Sequence, residues 1–115
     1  RREDIAAERV SLSSRHTLTF PELTIDGRSQ QAFQNGTALA LTRIEFNMLL
    51  FLASNPGVTL SKEDLFSAVW GRDSADTLKV VANTVSNLRR KLGGSQTYIR
   101  TVRGGYVFSA VSATA

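Results

Sequence analysis

The residues whose types and spacing could recognise a ligand lie between positions 79 and 91. Spacings of three, four and one place short amide and hydroxyl side chains on one helical face, with cations beside them. The members of this polar face are Lys79, Asn83, Ser86, Asn87 and Arg90, with Thr84 and Lys91 at its margins. Amides, hydroxyls and arginine can read base edges, and cations can hold phosphates. The alternative is an ordinary solvated face, but such faces usually mix Glu with Lys, and this one contains no acid.

A second cationic point lies near the end of the chain. Arg103 directly precedes Gly104-Gly105, a dipeptide typical of a hairpin turn, so we expect its side chain at the hairpin tip. An arginine at a tip can enter a narrow minor groove, where the negative potential of DNA is strong. The alternative is that Arg103 only keeps an edge strand soluble.

The charge of the chain is concentrated in its last third. Of the 14 basic and 10 acidic residues, all 10 acids and 8 basic residues precede position 77. The segment after position 76 contains no acid and holds the remaining six cations, which are Lys79, Arg89, Arg90, Lys91, Arg100 and Arg103. A net charge of +4 therefore conceals a basic segment of +6, an asymmetry that favours a polyanionic partner.

Composition excludes several other classes of function. The chain has no Cys and a single His, His16, so thiol chemistry and His- or Cys-based metal sites are excluded, and no cofactor is predicted. No apolar run approaches the roughly 20 residues of a membrane span, and no signal-peptide pattern is present. We therefore expect a cytoplasmic, non-enzymatic protein. Because the first residue is Arg1 rather than Met, we interpret the chain as a fragment or a processed product.

The elements that must position these residues begin with strands. Asp26-Gly27 and Asn35-Gly36 are both typical of two-residue turns, and short alternating apolar stretches flank them. Pro21 indicates an edge strand or a bend. Residues 17–41 are therefore predicted to form an antiparallel meander of three or four strands.

Three helices and a hairpin follow. Thr42 with Glu45, and Ser61 with Asp64, have the spacing of capping boxes at the starts of two helices. A third helix, over about 77–92 and capped by Asp76 or Thr77, has an apolar stripe at helical spacing. That stripe consists of Leu78, Val81, Val85, Leu88 and Leu92. A hairpin is predicted from residues 98–103, a Gly104-Gly105 turn and residues 106–110. Three helices followed by a two-stranded hairpin is the winged-helix arrangement, of the α+β class.

Several segments, in this order and at this spacing, resemble the effector domain of OmpR/PhoB-type response regulators. They are Leu41-Thr42-Arg43-Ile44-Glu45-Phe46, Asn55-Pro56-Gly57, Val69-Trp70-Gly71, Val85-Ser86-Asn87-Leu88-Arg89-Arg90-Lys91-Leu92 and Ile99-Arg100-Thr101-Val102-Arg103-Gly104-Gly105-Tyr106. The resemblance covers roughly residues 17–110. The chain departs from the family pattern at Ala82, Asn83 and Thr84, where many members have an acid, an apolar residue and His, and in a wing that is one residue short.

The resemblance implies a winged helix-turn-helix with an N-terminal four-stranded antiparallel sheet, three helices and a C-terminal hairpin wing. It implies a partner, double-stranded promoter DNA, with the third helix in the major groove and the wing, about 98–109, near the minor groove. The expected DNA contacts are Lys79, Asn83, Thr84, Asn87, Arg90, Lys91, Arg100 and Arg103. The expected polymerase-contact loop contains Arg72, Asp73 and Ser74.

The resemblance also implies an organisation for the longer protein. Residues 1–14 would be the end of a linker, and residues 15–112 the winged-helix domain. A phosphorylated receiver domain is expected on the N-terminal side, outside this chain, and two copies are expected to bind DNA as a dimer. Two alternatives stay open, an RNA-binding winged helix and a protein-interaction winged helix whose basic face meets an acidic partner. An isolated pair of tyrosines, Tyr98 and Tyr106, offers little of the aromatic platform that single-stranded RNA recognition uses.

Overall fold

Four short antiparallel strands open the part of the chain that the structure describes. The structure is a computed structural model, and it describes residues 17–71, 77–92 and 98–109. The strands are β1 (Thr17–Phe20), β2 (Leu23–Asp26), β3 (Gln31–Gln34) and β4 (Thr37–Ala38). They pair in the order β1-β2-β3-β4, with alternate residues of β2 buried towards the helices. The prediction of a four-stranded N-terminal meander is confirmed.

Of the two two-residue turns predicted for this sheet, one is present and the other is not. Asn35 and Gly36 have φ angles of 54° and 82°, and they connect Gln34 to Thr37 as a two-residue turn, as predicted. The prediction of a two-residue turn at Asp26-Gly27 is wrong, because Asp26 pairs with Gln31 across a four-residue loop. Asp26 Oδ1 accepts hydrogen bonds from the backbone N–H groups of Arg28 (3.0 Å) and Ser29 (3.3 Å), which is the alternative use of Asp in turns.

Three helices follow the sheet, and the first two begin at the residues that the capping signals indicate, whereas the third begins two residues later than predicted. They are α1 (Arg43–Ala53), α2 (Lys62–Val69) and α3 (Lys79–Leu92). At the start of α1, Thr42 Oγ1 accepts from the N–H of Glu45 (3.1 Å), and Glu45 Oε1 accepts from the N–H of Thr42 (2.9 Å). Ser61 and Asp64 make the same reciprocal pair at α2. Each box satisfies two backbone donors that would otherwise lack partners in the first turn.

Helix α3 packs against α1 and α2 through its apolar stripe. Val81, Val85, Leu88 and Leu92 are buried, as predicted. The prediction that Leu78 also faces the core is wrong, because it precedes the helix and is 37% exposed. At the helix start, Thr77 Oγ1 accepts from the N–H of Lys79 at 3.4 Å, while the other proposed cap, Asp76, lies outside the described residues.

The C-terminal hairpin, called the wing below, consists of β5 (Ile99–Val102) and β6 (Gly105–Phe108). Val102 pairs with Gly105, so the turn is Arg103-Gly104, one residue earlier than the predicted Gly104-Gly105. The physical reason is a close approach that sequence alone does not reveal. Leu60 exchanges two backbone hydrogen bonds with Tyr106 (2.8 and 2.9 Å), and a Cβ on Gly105 would lie only 2.7 Å from the carbonyl carbon of Leu60. Position 105 in β6 therefore requires a glycine, because the backbone of Leu60 leaves no space for a Cβ there.

Candidate nucleic-acid interface

The polar face of α3 points away from the core. Lys79, Asn83, Ser86 and Arg90 are exposed, and Asn87 is half-buried. The orientation follows from the stripe on the other side, because burying Val81, Val85 and Leu88 turns the opposite side of the helix outward. The helix thus presents two amides, a hydroxyl and two cations along one exposed surface, without a carboxylate on the helix itself.

Two members of the polar face bond to each other. Arg90 Nη2 donates to Asn87 Oδ1 at 2.9 Å, across three residues of the same helix. An amide oxygen has two lone pairs, so Oδ1 can accept a second hydrogen bond while Nδ2 keeps both of its donors. Asn87 is therefore oriented by its neighbour and still retains the donor and acceptor pair that bidentate reading of adenine requires.

The wing supplies two further cations. Arg103 is exposed in the turn, next to Gly104 with its φ of 93°, and Arg100 is exposed on β5. The neighbouring Ile99 and Tyr106 are buried, so the alternation of the hairpin directs Arg100 outward. Together α3 and the wing present five exposed cations, Lys79, Arg89, Arg90, Arg100 and Arg103, with no acid among the described residues of these elements.

Two of the sequence-predicted contacts face elsewhere. Thr84 is only 8% exposed and lies on the buried side of α3 between Val81 and Leu88, so its placement at the margin of the polar face is corrected. Lys91 donates through Nζ to Glu45 Oε1 (2.7 Å) and to the carbonyl oxygen of Ala40 (2.9 Å). Its charge is therefore already neutralised inside the domain.

The carboxylate that holds Lys91 is nearly enclosed. Glu45 is 5% exposed, and its Oε1 also accepts from the backbone of Thr42. Burial alone acts to raise the pKa of Glu45, but hydrogen bonds from Lys91 and Thr42 together outweigh it and hold the pKa below its ordinary value. Glu45 thus stays ionised at neutral pH and keeps Lys91 in place.

Arg89 has a role that the sequence analysis missed. Its Nε donates to the carbonyl oxygen of Ile99 (3.0 Å), and its Nη2 donates to Thr101 Oγ1 (2.6 Å). The guanidinium carbon also lies 5.7 Å from the centre of the Tyr106 ring. These partners are 10 to 17 positions away in sequence, and no local signal identifies them.

The remaining predicted site residues, Arg72, Asp73 and Ser74 of the loop before α3, lie outside the described residues. Within the described ranges, no three His, Cys, Asp or Glu side chains converge as metal ligands would. None of the described helices has the length and apolar character needed to cross a bilayer.

The four-stranded sheet, three helices and hairpin, with an exposed acid-free helix face beside a cationic wing tip, define a winged-helix domain of the DNA-binding type. Residues 36–108 match the family model described as "Transcriptional regulatory protein, C terminal". The chain belongs to this family, the C-terminal DNA-binding domains of OmpR/PhoB-type regulators.

Individual relatives agree with this assignment. The chain is 44% identical over 89 residues to the transcriptional regulatory protein VxrB of Vibrio cholerae, covering 76% of this chain and 36% of VxrB. It is similar to the crystal structure of the DNA-binding domain of CpxR from E. coli, with a TM-score of 0.74, 34% identity, and coverage of 84% of this chain and 99% of that one. It is also similar to the RstA DNA-binding domain of Klebsiella pneumoniae solved in complex with the RstA box, with a TM-score of 0.74, 31% identity, and coverage of 83% and 98%.

The chain spans less than half the length of the curated relatives that it matches first, 36% of VxrB and 43% of the mycobacterial regulator PrrA.

Proposed function

We propose that this domain binds duplex DNA sequence-specifically and regulates transcription as the output domain of a response regulator. In this proposal α3 lies in the major groove, where Asn83, Asn87 and Arg90 reach base edges. Arg103 at the wing tip enters the adjacent minor groove. The domain acts by binding, without catalysis or a cofactor.

The observation that carries the proposal is that both the polar face of α3 and the wing expose cations and contain no acid among their described residues. Carboxylates would repel phosphates at close range, and the described residues of these elements contain none. The amides at positions 83 and 87 lie one helical turn apart, so both can project into one groove. This combination of base-reading amides and flanking cations is what distinguishes the surface from a generally basic patch.

The internal contacts of Arg89 and Lys91 reduce the number of cations available to phosphates. If Lys79, Arg90, Arg100 and Arg103 each neutralise one phosphate, the slope of log affinity against log salt is about −3.6. If all six cations of this region did so, the slope would be about −5.4. Titrations of one duplex across salt concentrations distinguish the two values, and a slope near zero would exclude duplex binding through this surface.

The central experiment separates reading of sequence from holding of the backbone. Binding of Asn87→Ala and Arg103→Ala is measured on a duplex selected from a random library and on a scrambled duplex. Asn87→Ala is expected to cost about 1–3 kcal/mol on the selected duplex and little on the scrambled one, because a base contact discriminates sequence. Arg103→Ala is expected to weaken both duplexes similarly and to make the salt slope shallower by about 1.

Matched controls keep this experiment interpretable. Circular dichroism establishes that both variants are folded, and Thr84→Ser, a buried change on the same helix, should alter the binding of the two duplexes equally. Competition with single-stranded DNA and structured RNA tests the RNA-binding alternative. If Asn87→Ala weakened both duplexes to the same extent, the assignment of the polar face as the reading surface would be overturned.

The organisation of the longer protein is part of the same proposal. Residues 1–14 serve as the end of a linker from an N-terminal receiver domain, residues 15–112 form the DNA-binding domain, and the protein acts in the cytoplasm. Two copies bind head to tail on direct repeats about one helical turn apart, because one domain reads only a few base pairs. Selected DNA with single, unpaired sites would contradict the dimeric arrangement.

The loop that contains Arg72, Asp73 and Ser74 is proposed to contact RNA polymerase. Alanine substitutions of Arg72 and Asp73 are expected to leave DNA affinity unchanged and to reduce transcription from an activated promoter. Loss of DNA binding by a folded double variant would contradict this assignment.

A further inference from the structure

Three consecutive cations near the end of α3 extend in three different directions. Arg89 contacts the wing, Arg90 lies on the polar face, and Lys91 bonds to Glu45 and Ala40. A sequence of adjacent basic residues would ordinarily be assigned as a whole to phosphate binding. The geometry instead divides the three residues, and Arg89 is the one that joins the two surfaces proposed to enter the two grooves.

The contacts of Arg89 engage both strands of the wing. One side of its guanidinium fork donates to Ile99 and Thr101 on β5, and its flat face lies over Tyr106 on β6. Tyr106 is in turn fixed by two backbone hydrogen bonds to Leu60, outside the wing. A planar guanidinium with donors in fixed directions holds such partners at a set orientation, which a flexible ammonium does not.

We propose that Arg89 is a positioning residue for DNA binding, which fixes the wing tip at a set distance from the polar face of α3. The proposal rests on the proposed function, since it concerns how two DNA-contacting surfaces are held relative to each other. Arg89 acts through the wing and does not itself hold a phosphate.

The physical basis is preorganisation. Two contact surfaces on one domain reinforce each other when binding at one places the other at its own target. If the wing can move relative to α3, part of the binding free energy is spent on ordering it. Arg89 removes that cost beforehand, so its effect on affinity should exist only while the wing tip contributes to binding.

The first test is a double-mutant cycle between two residues that do not touch. Arg89→Lys keeps the charge but removes the fork, and it is measured alone and together with Arg103→Ala on the selected duplex. Arg89→Lys alone is expected to weaken binding about tenfold, and in the Arg103→Ala background only about twofold or less. The matched control is Arg90→Lys, the same change at the next residue, whose effect should be the same in both backgrounds.

The alternatives give different results in this cycle. If Arg89 held a phosphate, Arg89→Lys would bind nearly as well as wild type, and Arg89→Gln would add its full effect to that of Arg103→Ala. If Arg89 only stabilised the fold, its effect would be equal in the two backgrounds and would follow the fraction of unfolded protein. Either result would overturn the positioning role.

The second test does not need DNA. Residual dipolar couplings of the free domain report the orientation of β5 and β6 relative to α3. In Arg89→Lys the couplings of the wing should decrease relative to those of α3, while in Arg90→Lys they should not change. Unchanged wing couplings in Arg89→Lys would refute the positioning role whatever the DNA affinity, whereas a wild-type domain that binds no duplex would refute the proposed function and leave this structural result standing.

Discussion

The N-terminal sheet and the wing are both antiparallel, yet they are attached to the helices differently. The sheet has four strands, which satisfy one another's backbone groups, and it packs through buried side chains such as Leu23 and Ile25. The wing has only two strands, and an isolated two-stranded hairpin is marginally stable in water. It obtains additional partners from other parts of the chain, namely the backbone of Leu60 and the guanidinium of Arg89.

This difference explains how the wing can expose its cations. Backbone and arginine contacts help to hold the hairpin from one side, and Arg100 and Arg103 are exposed on the other. The sheet contains no comparable cationic surface, since its strands and turns hold Glu22, Asp26 and Arg28. The lesson is that the smaller β-structure depends more on specific contacts, and single substitutions should affect it more.

The largest effect is expected from Gly105→Ala. The added Cβ would meet the backbone of Leu60 and Ser61, which cannot move aside without separating the wing from the chain that supports it. We expect a loss of about 3 kcal/mol or more in the free energy of unfolding, measured by urea denaturation. Gly36→Ala in the sheet is the control, because Gly36 also has a positive φ but nothing lies within 4 Å of its added Cβ.

The control should cost about 1 kcal/mol, the penalty of a left-handed backbone for a residue with a Cβ. Equal losses for the two variants would show that the close approach to Leu60 does not limit the wing, and the contrast drawn above would fail.

A smaller loss of unfolding free energy is expected from substitution of Lys91, which connects α3 to the end of the sheet. Lys91 bonds to the carbonyl of Ala40, just beyond β4, and to Glu45. Lys91→Met leaves the Glu45 carboxylate enclosed without its cation, and breaking a fully buried pair costs about 3–5 kcal/mol. Because the Lys91 side chain is 31% exposed, we expect about 1–3 kcal/mol in thermal or urea unfolding.

Arg90→Met is the matched control, since it removes the same charge from the adjacent, exposed position. Its effect on unfolding should stay within about 0.5 kcal/mol. If the two variants were equally stable, the Lys91 to Glu45 contact would have no structural role, and Lys91 would return to the set of proposed DNA contacts.

The sequence predicted best the features that depend on neighbouring residues. The boxes at Thr42 and Ser61, and the Asn35-Gly36 turn, are formed by residues within three positions of each other, and the structure confirms them. The number and order of elements were also correct, because hydrophobic periodicity and turn signals are local.

Most of the errors arise where contacts with residues distant in sequence determine the conformation. The wing turn is shifted to Arg103-Gly104 because Leu60 requires a glycine at 105. At the site, helical spacing correctly grouped Asn83, Asn87 and Arg90. The same spacing indicates that Thr84 is buried, because it lies three positions after Val81 and four before Leu88, so that error came from its polar residue type. Spacing could not show that Arg89 and Lys91 have internal partners, since those partners lie 10 to 51 positions away.

A change of about 1 kcal/mol in the free energy of unfolding is expected at the contact between the wing and the N-terminal sheet. Tyr98, just before β5, donates its hydroxyl hydrogen to the carbonyl oxygen of Pro21 at 2.8 Å, in the turn between β1 and β2. Tyr98→Phe leaves that carbonyl without this donor and should cost about 0.5–1.5 kcal/mol in urea unfolding. Tyr106→Phe is the control, because the described residues provide no hydrogen-bond partner for its hydroxyl, and it should change the unfolding free energy less. The reverse order would mean that the sheet and the wing are joined by apolar contact alone, such as that between Phe20 and Phe108.

The smallest changes in the free energy of unfolding are expected on lowering the pH. They involve two carboxyls, Asp26 and Glu45, whose pKa values are lowered for different reasons. The pKa of Asp26 is lowered mainly by hydrogen bonds from the side chain and backbone of Ser29 in the exposed β2–β3 loop. At Glu45 burial acts against ionisation, and the hydrogen bonds from Lys91 and Thr42 overcome it. Both carboxyls have a folded pKa below the unfolded one, so each stabilises the fold above its unfolded pKa and loses that contribution as pH falls through the folded pKa.

Urea unfolding of wild type, Asp26→Asn and Glu45→Gln should therefore be compared between about pH 6 and pH 3. For both variants the deficit in unfolding free energy should be present near neutral pH and should shrink as the wild-type carboxyl becomes protonated. Lys91→Met separates the two sites, because it removes a cause of the lowered pKa at Glu45 and none at Asp26. In that background the folded pKa of Glu45 should rise, because Lys91 no longer lowers it, and the pH dependence of the Glu45→Gln deficit should weaken, while that of Asp26→Asn stays the same. An unchanged Glu45 profile in the Lys91→Met background would mean that Thr42 alone keeps Glu45 ionised, and that the attachment of α3 to the end of the sheet does not depend on charge.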